Sequence, residues 1–149
     1  MKAAPTLDGR VRIDPETDLD LLVLRAVLPD ARARKDGLAE RVAGEMAEEV
    51  EEDWREYVTP DLQETFDGQL VVLAEAVSSA EVGEPIFIER EQAEAWYGAL
   101  NQARLSLEDR YGFGDEELDD MEPEMRTARI RSHFYQILQG LLLEFLISE

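Results

Sequence analysis

Trp96, Leu100, Ala103 and Leu107 recur at spacings of four, three and four residues. That period puts all four on one face of a helix over residues 91–111. Leu105 flanks the stripe, and Gly112 and Gly114 supply the stop, because glycine takes the left-handed backbone that closes a helix. An amphipathic helix of this length is stable only when its apolar face is packed. The rest of the chain must therefore supply partners for it.

Four more helices are predicted. The first runs from a cap at Thr17 or Asp18 to about Leu28, where Pro29 ends it. It carries Leu19, Leu21, Leu22, Val23, Leu24, Val27 and Leu28 on nearly all sides, which predicts central burial. The second repeats Leu38, Val42, Met46 and Val50 every four residues between glutamates, and continues through Trp54 and Tyr57. The third starts with Thr59 as N-cap and Pro60 in the first turn, and carries Leu62, Phe66, Leu70, Leu73 and Val77. The last, from about Met125 to Ile147, presents Phe134, Leu138, Leu141 and Phe145. Ile137, Leu142, Leu143 and Leu146 widen its apolar surface beyond one stripe, so it is either the bundle centre or a subunit interface.

Val11–Ile13 and Ile86–Ile88 are short β-like runs, each leading into a helix. The expected fold is mainly all-α: a bundle of about five helices with a minor two-stranded β-ribbon from these runs. One helical domain spans 1–149, with 1–9 a flexible tail and 114–124 an acidic loop.

Charge narrows the partners. The chain has 35 acidic and 15 basic residues and a net charge of −20. Such a surface repels phosphate backbones and anionic bilayers, so neither nucleic acid nor membrane is an expected partner. No apolar run is long enough to span a bilayer, and residues 1–10 have no secretory core, so a cytoplasmic location is the default. The absence of cysteine removes disulfides and thiolate chemistry.

No catalytic constellation is visible. His133 is the single histidine, and no serine sits in a nucleophile-elbow pattern. Ile130 stands three residues before His133, where a carboxylate-bridged metal site would need glutamate, and the acidic run 115–124 lacks the EF-hand spacing. No metal or cofactor is expected. Asn101 and Arg104 lie one turn apart, so they share a face. Arg104 either pairs with an acid, such as Glu144 or an aspartate near Trp54, or holds a small polar or anionic ligand together with Asn101, Gln136 or Gln139, and His133. Trp54 and Tyr57, set among charges, are interface anchors or bundle-end packing.

The segments 53–62 (DWREYVTPDL), 95–113 (AWYGALNQARLSLEDRYGF) and 133–146 (HFYQILQGLLLEFL) resemble a bacterial family, domain of unknown function two-thousand-seventeen, and within it the verrucomicrobial-type members. The motif rests on Trp96, Leu100, Asn101, Arg104 and Leu105. The resemblance implies a cytoplasmic, mostly helical bacterial protein and carries no activity. In some bacteria such proteins are encoded beside an adaptor of the Clp protease, which implies a loose link to proteostasis. Two classes of function stand: an acidic, non-enzymatic interaction or regulatory protein, dimeric through its last helix or bound to another protein, and a ligand-binding domain or enzyme centred on Arg104 and Asn101.

Overall fold

The computed structural model describes residues 1–33 and 37–148. Its organising element is the helix α6 (Arg90–Tyr111), which packs against α2 (Val27–Arg32), α5 (Thr59–Ser78) and α7 (Pro123–Ile147). At its start the Gln92 side chain accepts the Glu89 N–H at 3.3 Å, and at its end Gly112 turns left-handed with φ 53°. Trp96, Leu100, Ala103 and Leu107 are buried as the spacing predicts. Ala93, Ala99, Gln102 and Ser106 are buried as well, because neighbours close on several sides of the helix.

The approach of α5 to α6 depends on Gly98. A Cβ there would lie 2.3 Å from the Gln69 side-chain amide. That amide accepts a hydrogen bond from Gln102 Nε2 at 3.0 Å, and the same nitrogen donates to the Phe66 carbonyl at 2.9 Å. Gly98→Ala gains about 1 kcal/mol of helix propensity. It loses about the same amount when Gln69 swings away from Gln102. The expected net effect is near zero, whereas in a Gln69→Ala background the same substitution should stabilise by about 1 kcal/mol. Urea unfolding of the four-variant cycle measures this, and equal effects in both backgrounds would contradict it.

The first helical region differs from expectation. Thr17 caps α1 (Asp18–Arg25) in a reciprocal box: its hydroxyl accepts the Asp20 N–H at 3.2 Å, and the Asp20 carboxylate accepts the Thr17 N–H at 3.1 Å. The helix breaks at Ala26, earlier than expected, and Pro29 lies inside the first turn of α2. Proline has no N–H and its ring clashes with the carbonyl four residues back, so the break falls just after Arg25. Only Leu21 and Leu24 of α1 are buried. Central burial is thus corrected: Leu19 and Leu22 stay exposed, because this short helix packs through one side, against α5 and α2. Arg25 reaches the end of α5 and donates to the carbonyls of Val77 at 3.2 Å and Ala80 at 2.7 Å.

The glutamate-rich region forms two helices rather than one, α3 (Leu38–Gly44) and α4 (Glu48–Tyr57). Arg41 joins α3 to α6 through Asp109. Thr59 does not cap α5. Val58 keeps helical backbone (φ −106°, ψ −45°), so the chain turns from α4 into α5 with Val58 N–H bonded to the Trp54 carbonyl at 2.9 Å. No open N-terminus is left for Thr59 to cap.

Three strands, not two, form the sheet: β1 (Lys2–Pro5), β2 (Val11–Asp14) and β3 (Ile86–Ile88), antiparallel in the order β1-β2-β3. Val11 pairs with Ile88 and Ile13 with Ile86, as the two β-like runs suggested. Residues 2–5, read from the sequence as part of a flexible tail, supply the additional edge strand. Their composition, KAAP, carries no apolar alternation to announce it. Val11, Ile13, Ile86 and Ile88 enter the core. Phe87 points to the other face, where the Arg10 guanidinium lies 4.0 Å from its ring centroid.

Within the acidic stretch, Leu118–Asp120 make one 3-10 turn before α7 begins at Pro123. Arg126 holds that turn by donating to the carbonyls of Leu118 (2.8 Å), Asp119 (3.3 Å) and Met121 (3.1 Å). The buried face of α7 centres on Tyr135, Leu138, Leu142 and Phe145, with Phe134 and Leu141 partly buried beside it.

Candidate functional site

The break before α2 sets Asp30 in that helix's first turn, with its N–H bonded to the Ala26 carbonyl at 2.8 Å. Asp30 is 5% exposed. Across from it, Arg131 of α7 donates from Nε to Oδ2 at 2.8 Å and from Nη2 to Oδ1 at 2.9 Å. This two-pronged geometry suits a planar guanidinium facing a carboxylate. The Tyr135 hydroxyl adds a third bond to Asp30 Oδ2 at 2.8 Å and lies 3.1 Å from the Val23 carbonyl. Burial pushes the Tyr135 phenol far above its ordinary pKa, and the neighbouring Asp30 charge pushes it further. It therefore stays a protonated donor at any working pH. The Asp30 hydrogen bond likewise raises Arg131. Both Asp30 oxygens are engaged, so the trio is a fixed, charge-compensated floor.

Above that floor lies an open groove of about 520 Å³ between α1 and α7. Leu19, Leu22, Val23 and Ala26 line one side, and Thr127, Ile130 and Arg131 the other. Leu19, Leu22 and Ile130 are 66%, 64% and 51% exposed. On α7 the apolar line continues at spacings of four and three through Phe134 and Ile137, the latter also exposed. Asp30, Arg131 and Tyr135 were not singled out from the sequence. The available signal was Asp30 itself, the one acid between Leu21 and Ala33.

The residues nominated from the sequence do not line this groove. Arg104 meets Gln139 of α7: Nη1 donates to Gln139 Oε1 at 2.5 Å, and Gln139 Nε2 donates to the Tyr97 carbonyl at 3.4 Å. Neither Glu144 nor an aspartate near Trp54 forms an ion pair with Arg104 among the described residues. Its Nε is buried and has no hydrogen-bond partner among them. Asn101 is half-buried and makes no side-chain hydrogen bond among the described residues, while His133 and Gln136 are exposed on α7. Trp54 is half-buried, its indole N–H without a partner among the described residues, and Tyr57 is exposed. Both belong to α4, a peripheral helix with no fully buried residue.

Among the described residues, no group of three or more His, Asp or Glu side chains is placed to hold a metal ion. Among the described residues, no helix is long and apolar enough to cross a membrane. Comparison with curated proteins finds no match, and comparison with solved structures finds none. The profile of a family described as a domain of unknown function, DUF2017, matches residues 2–146. That span holds the α6 motif, the groove and its floor alike, and the chain belongs to this family.

Proposed function

We propose that this protein works by binding another protein rather than by catalysis, and that the α1–α7 groove is its docking surface. One observation carries the reading: Leu19, Leu22 and Ile130 are held largely exposed around a floor whose charges are already compensated. Single exposed apolar residues are ordinary, but several converging on one concavity mark an interaction surface. A cysteine-free chain with so charged a composition also suits a bacterial cytoplasm.

The test compares wild type with Leu19→Glu/Leu22→Glu, both immobilised and exposed to the same bacterial lysate. Proteins retained by wild type should be lost from the double variant. Identical sets on both would remove the groove from consideration. A second reading, a small polar or anionic ligand held by Arg104 and Asn101, is favoured by the buried Arg104 Nε, which has no partner among the described residues. Against it, Gln139 already occupies the Nη1 of the same guanidinium.

A further inference from the structure

We infer that the outward face of α7 binds the same face of a second copy, with the two helices antiparallel. This goes beyond the docking reading above. Of the residues lining the groove, only Ile130 belongs to this face.

Ile130, His133, Ile137, Gly140, Glu144 and Ile147 follow one another at spacings of three, four, three, four and three. That is the repeat of a two-helix seam. Ile137 and Ile147 are 59% and 74% exposed, and the other four are exposed as well. The side chains of His133 and Glu144 make no hydrogen bond or ion pair among the described residues. Gly140 sits in the middle of the run, where glycine weakens a helix relative to alanine. A Cβ there would meet nothing within 4 Å, so the packing of the chain itself gives no reason for the gap.

A two-fold axis midway between Ile137 and Gly140 makes this face complementary to itself. Ile137 then stands opposite the partner's Gly140, whose missing side chain leaves room for it. Ile130 stands opposite the partner's Ile147. His133 stands opposite the partner's Glu144, so an imidazole N–H meets a carboxylate. The symmetry makes each of these pairs twice. A parallel arrangement would instead set Glu144 against Glu144 and Gly140 against Gly140, which gains nothing from either.

Two chains of net charge −20 repel each other. They repel least along α7. With three arginines and two glutamates it is the one helix among the described residues with a positive balance of Arg and Lys over Asp and Glu. From Ile130 to Ile147 the seam runs about 26 Å. A contact of that size sits at the weak end of specific interfaces, with a dissociation constant of about 1–100 μM.

Sedimentation velocity of the full chain up to about 1 mM reads this constant. Wild type should move from 16.9 kDa toward twice that mass. Ile137→Arg should weaken dimerisation at least about tenfold, because it sets a charge against the centre of the seam. Glu144→Arg should weaken it roughly three- to tenfold by removing both pairs with His133. Both variants are less acidic than wild type, so relief of general repulsion predicts the opposite sign. His133→Glu/Glu144→Arg should dimerise at least about threefold tighter than Glu144→Arg, because it rebuilds the pair with its ends exchanged. All three positions are exposed, so the variants should fold, which far-UV circular dichroism checks.

A chain that stays monomeric throughout overturns the inference. A dimer that Ile137→Arg leaves unchanged or tightens overturns it too, and if Leu19→Glu/Leu22→Glu dissolves that dimer, the contact belongs to the groove. Tighter dimerisation by Glu144→Arg, or a double variant no tighter than Glu144→Arg, overturns the antiparallel pairing and the inference with it.

Discussion

Asp30→Ala is expected to lower the unfolding free energy by about 3 kcal/mol, because removing one member of a buried ion pair strands the other. For a chain of this size that corresponds to a fall in melting temperature of roughly 6–12 °C. The substitution removes both acceptors of the Arg131 guanidinium and one acceptor of the Tyr135 hydroxyl. Tyr135 keeps the Val23 carbonyl, but Arg131 is left largely enclosed with no carboxylate. The comparison that isolates this cause is Asp30→Leu/Arg131→Met. It removes both charges and keeps most of the volume, so it should lie within about 1 kcal/mol of wild type. Urea and thermal unfolding of the three proteins decide the matter. An Asp30→Ala loss below about 1 kcal/mol would place the network among ordinary surface pairs.

Trp96→Ala should cost about 4 kcal/mol, the range for deleting a large aromatic from a packed core. Trp96 is fully buried in the second turn of α6, so the vacated volume has rigid neighbours on several sides. Trp96→Phe should cost only about 1 kcal/mol, because the smaller cavity is partly offset. The offset has a specific source: the indole N–H is buried and unpartnered among the described residues, and phenylalanine removes it. Denaturant midpoints read both values. A phenylalanine variant as unstable as the alanine one would mean that the indole N–H does bond in solution.

What the sequence could and could not reveal follows from the range of each interaction. The buried stripe of α6 was legible because its positions are three or four apart, within the reach of a periodicity argument. The pairing of Val11–Ile13 with Ile86–Ile88 was legible as two apolar β-branched runs, although the third strand, KAAP, has no such pattern. The α1 region misled, since all-round apolarity reads the same whether a helix is enclosed or opens onto a groove. Leu19 and Leu22 show the second case. The floor of the groove was out of reach. Asp30 and Arg131 are 101 residues apart, and neither has a local pattern that names the other. Arg104 was expected to pair with an acid from another helix; its partner across the helices is instead the neutral Gln139, which charge pairing would not select.

That separation of 101 residues also has a temporal meaning. At synthesis rates of about 5–20 residues per second, roughly 5–20 s pass between the making of Asp30 and of Arg131. Throughout that interval the nascent chain carries an acid destined for burial whose counter-ion does not yet exist. The α2 region can dock fully only when α7 emerges. A chain that stops short of Arg131 keeps Asp30 hydrated and leaves the α6 face that α7 covers open, so its exposed apolar surface is what chaperones and proteases would meet.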